Sequence, residues 1–465
     1  MLRKAAKAAV LTAINAYDKR EGPPQPQSPA AWDLTVSAAG ELCWEGVNLV
    51  DLGSQFGTPL YVVSRARLER DYREFLGAFT ALYPKVEIGC SYKTNPLPGV
   101  IKVMHEIGAS AEVISHFELW LALRLGMPGE RIIMNGPAKT DQALDLAVGN
   151  GVRLINVDNM DEIETIDRLA GKYGRKQDVG VRVVTSVGWS AQFGLRIGTG
   201  QALEAFRRMK AASNLVPCAL HAHLGTGIHD ANVYFTAVTE MLEFARRLRE
   251  ELGIEMRYLD FGGGFGVPTV RPISPTDRKL IENGFQVNPP REGQAPTTAQ
   301  YAQGIIERFA KYYDVTSADS PQIVFEPGRA MTSRAQCLLL SVLALKRGDR
   351  LSEYAILDGG KNITMPLGYE YHEAFVANRM NEASQQRYSM FGPLCHPGDV
   401  LFKHRNFPTL AKGDMVAIMD AGAYFVPNQM NFSNPRPPAV MVSGSDVRVI
   451  RERETFEDMV VLDRA

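Results

Sequence analysis

Long apolar runs are missing from this chain: nothing in its 465 residues approaches the roughly 20 consecutive apolar positions that a bilayer-crossing helix requires. Surplus charge is missing too. Lysine and arginine total 51 against 52 aspartate and glutamate, a formal net charge of −1, so no nucleic-acid or polyanion surface and no membrane partner is expected. Cysteine is scarce. Cys43, Cys90, Cys218, Cys337 and Cys395 form an odd, scattered set without metal-type spacing. They read as free thiols in a reducing, cytoplasmic compartment, with no metal centre. The remainder is ordinary globular material, 45% apolar and 22% charged. The length exceeds one simple core, so two domains are expected.

Residues 1–20 read as a short basic amphipathic helix, with Leu2, Ala6, Val10, Ala13 and Ile14 on one side and Lys4, Lys7 and Lys19 outside it. The continuous apolar core and cleavage site of a secretory signal are lacking. That favours a packing or dimer-contact helix over membrane-surface attachment. Glu21-Gly22-Pro23-Pro24-Gln25-Pro26 follows as a linker, so residues 1–31 are helix and linker.

Between residues 60 and 330, short apolar strands alternate with helical segments. Residues 59–63 are strand-like and precede a helix over 65–82, capped by Ser64; residues 85–90 precede a helix over 98–107. The rhythm continues through strands at 111–114, 131–134, 153–157, 179–184, 218–223, 258–261 and 322–325. Such alternation argues for parallel β/α units. Their number suits an eight-stranded (β/α)8 barrel, so the fold class is α/β. Beyond residue 330, strand candidates at 336–345, 354–357, 415–419, 439–442 and 447–450 are separated by Gly and Pro, which reads as an all-β domain over 331–465. Residues 32–59 join it through strand-like Leu42-Cys43-Trp44. The polar, Pro-rich segment 269–298 interrupts the barrel and reads equally as an active-site lid or dimer contact and as an unimportant insertion.

Chemistry-bearing residues cluster at strand ends. Ser91-Tyr92-Lys93-Thr94-Asn95-Pro96 sets one lysine after an apolar run; Gly262-Gly263-Gly264 and Glu326-Pro327-Gly328-Arg329 close two later strands. C-terminal strand ends form the catalytic face of a β/α barrel, so these motifs converge in space. They offer an amine for an aldehyde, a glycine turn and a guanidinium for a phosphate, and a carboxylate for a ring nitrogen. Those are the needs of pyridoxal phosphate. Singly each is weak: most lysines are solvated charges, many turns carry glycines, Thr226 could cap a helix, and Cys395 alone would be a small buried hydrophobe. His221 and His223 share a strand face, and only the one nearer the barrel mouth is expected to meet the cofactor.

The ordered set resembles the fold type III, alanine-racemase-like pyridoxal phosphate decarboxylases, the diaminopimelate and ornithine decarboxylase group, from about Trp32 to the C-terminus. The resemblance implies that Lys93 carries the cofactor as a Schiff base and that Glu326 pairs with the pyridinium nitrogen. It implies that His223, in His221-Ala222-His223-Leu224-Gly225-Thr226, stacks on the ring, with Thr226 near the phosphate. Gly262, Gly263, Gly264, Arg329 and Tyr424 (in Asp420-Ala421-Gly422-Ala423-Tyr424) would hold the phosphate, and Glu112 and Arg182 would form a polar network below the ring. Cys395, in Gly392-Pro393-Leu394-Cys395, would reach the neighbouring subunit's site in a homodimer with shared active sites and protonate the intermediate. Asp358, in Leu357-Asp358-Gly359-Gly360, would belong to the substrate pocket. A carboxylate at the ring nitrogen favours decarboxylation, whereas an arginine there would suit racemases.

The substrate-facing positions depart from the group's pattern. His396 stands where an acid usually follows the cysteine, and Met365, in Met365-Pro366-Leu367-Gly368-Tyr369, stands where an arginine binds a distal carboxylate. Loss of such a charge-assisted bond costs on the order of 2 kcal/mol or more. His116 stands where glycine is common, and Gln192 replaces a usual lysine. His396, Met365, Tyr369, His116 and Asp358 are therefore the substrate-binding candidates. They suggest a diamino acid or its conjugate, possibly D-configured or a natural-product precursor. The runs 431–437 and 451–459 resemble divergent members such as the D-ornithine/D-lysine type. meso-Diaminopimelate decarboxylation, racemisation and a non-catalytic cofactor-binding homologue are the alternatives.

Overall fold

The structure, a computed structural model, describes residues 26–291, 293–348 and 351–464. The expected basic helix over 1–20 lies outside the described residues.

Eight strands close a parallel barrel: Val86–Ser91, Ser110–Val113, Ile132–Met134, Leu154–Val157, Gln177–Val184, Leu215–His221, Tyr258–Asp260 and Gln322–Phe325. Gln322–Phe325 pairs with Val86–Ser91 and Leu154–Val157 with Gln177–Val184, so the ring has no free edge. Helices alternate with the strands. Ser64 caps Arg65–Thr80 as expected, its side chain accepting the Arg67 amide.

The strand Leu60–Ser64, read from sequence as opening the barrel, lies elsewhere. It is a central strand of the second sheet, antiparallel to Gln336–Lys346 and parallel to Ala439–Ser443. Its alternation explains the placement. Leu60 and Val62 enter the core beneath Trp32, Trp44 and Leu339, while Tyr61 and Val63 enter the large core shared with the barrel helices. A strand buried on both faces is apolar throughout in either setting, so composition could not separate the two. The expected boundary at residue 60 therefore moves past this strand, and the barrel unit begins with Arg65–Thr80.

The β-rich C-terminal region is built on Gln336–Lys346, flanked by Glu353–Leu357, Met415–Ile418 and the hairpin Ala439–Ser443/Asp446–Arg451. Leu42–Trp44 is a strand as expected, in a small sheet with Leu34–Val36 and Val47–Asn48. The barrel and the second sheet meet at the barrel mouth. Asn95 donates to the Gln336 side chain at 2.8 Å, and the Tyr424 amide donates to the Thr94 carbonyl at 2.9 Å. Trp32 Nε1 and Ser333 Oγ both donate to Asp420, at 2.9 and 3.0 Å.

The 269–298 segment is anchored to this junction. Thr269 Oγ1 donates to Asp420 at 2.8 Å, and Arg271–Pro272 pairs antiparallel with Glu370–Tyr371. A capped helix, Pro275–Glu282, follows, with Ser274 and Asp277 forming a reciprocal capping box.

Candidate active site

The C-terminal strand ends surround a cavity of about 290 Å³. Lys93 enters it from the short 3-10 turn Tyr92–Thr94, directly after the strand Val86–Ser91. Its Nζ donates to Glu112 Oε2 at 2.6 Å, and Ser91 Oγ donates to the same oxygen at 2.6 Å. Burial by itself would lower the Lys93 ammonium, but Glu112, Glu326 and Tyr424 prevail and raise it.

A chain of buried amides and carboxylates crosses the floor. Asn135 Nδ2 reaches Glu112 Oε1 at 3.0 Å and Glu326 Oε1 at 2.6 Å, and Asn156 donates to Asn135 Oδ1 at 2.8 Å. His223 Nδ1 lies 3.3 Å from Glu326 Oε2; His221 Nε2 is 3.4 Å from Oε1 without hydrogen-bond alignment. Burial acts to raise the Glu326 carboxyl, yet His221, His223 and Lys93 hold it well below the usual carboxylate range. Its neighbour Asp260 goes the other way, pushed well up by burial and by Glu326. The two carboxyls are thus pushed apart, Asp260 toward its protonated form and Glu326 toward its charged one. Burial lowers the His223 imidazole, leaving it neutral.

The glycine run lets two strand-end turns touch backbone to backbone. Gly262 and Gly264 have φ of +67° and +90°, and a Cβ at Gly263 would fall on the Glu326 carbonyl oxygen. At Gly262 and Gly264 it would fall on the carbonyl oxygens of Ala222 and Gly225, within the turn that carries His223. Only glycine meets both demands. On the opposite wall, Arg329 donates to both Glu370 oxygens at 3.1 and 2.6 Å, and its guanidinium lies 5.3 Å from the Tyr424 ring centroid. Arg182 sits over the Phe193 ring at 4.2 Å, with Asp158 3.8 Å away.

Residues 65–333 match the family model of the pyridoxal-dependent decarboxylase pyridoxal-binding domain. The chain belongs to this family. The curated diaminopimelate decarboxylase of Archaeoglobus fulgidus is 31% identical over 444 residues, covering 91% of this chain and 97% of that protein. The Pseudomonas aeruginosa diaminopimelate decarboxylase is 31% identical over 432 residues, covering 90% and 96%. Among solved structures, diaminopimelate decarboxylase of M. jannaschii in complex with L-lysine superposes with a TM-score of 0.84 at 27% identity, covering 94% of this chain and 98% of that one.

The chain is accordingly a pyridoxal phosphate-dependent carboxy-lyase, and its cavity fits that cofactor. Thr226 Oγ1 and Arg329 Nε are buried on the cavity wall with no hydrogen-bond partner among the described residues. Unfilled donors beside a guanidinium suit a phosphate. Lys93 would offer the amine, and Glu326, held in its charged form, the acid that a pyridinium nitrogen needs.

The structure brings together Lys93, Glu112, Arg182, His223, Thr226 and Glu326 on the cavity wall, joined by Arg329, Tyr369 and Tyr424. The three glycines do not line it. Asp358 stands apart within the β-rich region, accepting the Ser341 amide at 2.9 Å. Met365 is exposed on a 3-10 turn, and His116 is exposed at the head of the helix His116–Arg124. Cys395 and His396 lie on an exposed turn braced by Asp399, which accepts the Leu394 amide at 2.8 Å. In a single chain these five residues do not line the cavity.

Sequence reasoning missed Asn135, Asp260, Trp189 and Glu370. Asp260 ends one barrel strand and Asn135 directly follows another, so a search for polar residues at strand C-termini would have found both. His221, expected to pack away from the cofactor, also lines the cavity.

Proposed function

We propose that this decarboxylase releases CO2 from an α-amino acid bearing a second side-chain nitrogen, a diamino acid or its conjugate. The observation that carries the reaction type is the ionised Glu326 in the same cavity as Lys93. When bound, pyridoxal phosphate supplies the electron sink for the pair left by departing CO2. Glu326, in its charged form, would pair with the ring nitrogen and so keep this sink deep. Glu112, 2.6 Å from Lys93 Nζ, accepts the proton that the amine must lose before it can attack a carbonyl. Thr226 and Arg329 would hold the phosphate, and neutral His223 would add no positive charge beside the ring.

Met365 supports a substrate without a distal carboxylate, because a thioether offers that group no charge-assisted bond. The exposed turn carrying Cys395 and His396 supports a homodimer in which this turn completes the partner's cavity, with the Cys395 thiol returning a proton to the product carbon. The five free cysteines, four of them buried, are consistent with a reducing cytoplasm. The second reading, meso-diaminopimelate as substrate, draws on the names of the curated relatives. Measuring CO2 from D- and L-lysine, D- and L-ornithine, their N-acyl forms and meso-diaminopimelate tests both. Preference for a diamino acid without a distal carboxylate is expected; preference for meso-diaminopimelate would replace the first reading with the second. Retained cofactor with no CO2 from any of these would point to a non-catalytic homologue.

A further inference from the structure

A second cavity, of about 300 Å³, adjoins the first, and the residue that lines both is Glu370. The reaction above gives this second space no task. Ile273, Ile281 and Val287 of the 269–298 segment form one side of it, and Leu367 and Phe402 of the β-rich region form the other. Three cations stand among these apolar side chains: half-buried Lys361, and exposed Arg278 and Lys403. A Cβ at Gly368 would lie 3.2 Å from Lys361 Nζ, so the ammonium is packed against the 3-10 turn Met365–Gly368.

The acids nearby are already engaged. Glu370 chelates Arg329, and Glu373 pairs with Arg405. Asp277 accepts from Arg271 at 2.7 Å and closes the capping box with Ser274. Asp399 accepts the Lys361 and Leu394 amides at 2.6 and 2.8 Å. Glu282, exposed one turn after Arg278, pairs with none of the three cations. Lys361, Arg278 and Lys403 make no ion pair and no side-chain hydrogen bond among the described residues. Burial lowers the Lys361 ammonium; Asp399 opposes that shift and Arg278 adds to it. A half-buried charge without a bonded partner is costly, and an incoming anion offsets the cost. Cations alone would suit inorganic phosphate, but apolar walls around a few charged groups are the pattern of a site for a small organic molecule.

We propose that this cavity is a second ligand site, separate from the amino-acid cavity, for a small organic acid: Lys361 and Arg278 take its carboxylates, and the apolar side chains cover its carbon chain. The acid is a free molecule and not an arm of the amino acid, because the cavities meet at Glu370, whose charge repels an anion passing from one to the other. An occupant ties the helix Pro275–Glu282 to the β-rich region and so gives the 269–298 segment a task. The proposal holds whichever amino acid loses CO2.

Calorimetric titration of wild-type holoenzyme with glutarate, at constant ionic strength, tests it. Saturable binding is expected, and its absence would overturn the proposal. Lys361→Met weakens that binding about tenfold or more and Arg278→Gln several-fold, as loss of a charge-assisted bond requires. Both variants keep the wild-type KM for the amino acid, since neither side chain lines that cavity. Equal glutarate affinity in wild type and Lys361→Met would overturn the assignment. Wild-type protein gives a check free of folding defects: glutarate binds more tightly than pentanoate, and pentanoate more tightly than uncharged pentanamide. Inorganic phosphate binding as tightly as glutarate would reduce the site to a bare anion hole and overturn the organic acid. Saturation with the preferred amino acid leaves glutarate affinity unchanged; mutual exclusion would place glutarate in the amino-acid cavity and overturn the second site. Failure of the decarboxylase reading would appear as absent CO2 release and leave the titration standing.

Discussion

Changing Glu118 to glutamine perturbs one buried charge near the site and leaves the local bonding capacity in place. Glu118 is 7% exposed at the head of the helix His116–Arg124, where its Oε2 accepts the Ile114 amide at 2.8 Å. Burial, and then the nearby charge of Glu112, push its carboxyl from 4.5 up to about 7. The folded chain therefore holds this proton more tightly than the unfolded chain. Stability falls as pH rises from the unfolded value through the folded one, and the loss is complete above about pH 7. At about 1.4 kcal/mol per tenfold change in proton affinity, the full loss is about 3 kcal/mol. Glutamine keeps an acceptor for the Ile114 amide and carries no charge, so it escapes this loss. Denaturation midpoints of both proteins, measured at the same cofactor loading, isolate the effect. The variant should exceed wild type by about 3 kcal/mol at pH 8, a few °C for a chain of this size, with the gap shrinking to about 1 kcal/mol at pH 5. A gap independent of pH, or a wild type more stable at pH 8, would refute the reasoning.

Asn135→Leu keeps the volume but leaves Glu112 and Glu326 each short of a donor, so stability should fall by about 2–3 kcal/mol and the cofactor should dissociate more readily in equilibrium dialysis. Gly264→Ala forces a Cβ against the Gly225 carbonyl at a φ of +90°; it should abolish the visible absorbance of bound cofactor or the folded yield, and normal loading would contradict the packing described. Cys395→Ala should retain that absorbance while turnover slows. Mixing it with Lys93→Ala should give more activity than the sum of the two alone, and no such gain would remove Cys395 from a shared site.

Periodicity carried the barrel because each parallel strand is a short apolar run ended by a turn, and Lys93, Glu112, His223 and Glu326 sit at or near those ends. Lys93, Glu326 and Arg329 were legible because each lies in the turn or short helix just beyond such a run. Leu60–Ser64 was misplaced because burial on both faces erases the difference between a barrel strand and the centre of a second sheet. Glu370 was invisible for another reason: it lies in a two-residue strand whose partner, Arg271–Pro272, is about a hundred residues away in a segment without apolar periodicity. Nothing local signals that pairing. Cys395 and His396 are legible as a motif, yet their exposed turn does not line their own chain's cavity.

The account stands on one amine. Borohydride reduction of the holoenzyme fixes pyridoxal to whichever amine holds it, and peptide mass spectrometry then reads the position. The expected label is on the peptide containing Lys93; a label on another lysine, such as buried Lys139 with its Glu162 partner 2.9 Å away, would contradict the site described.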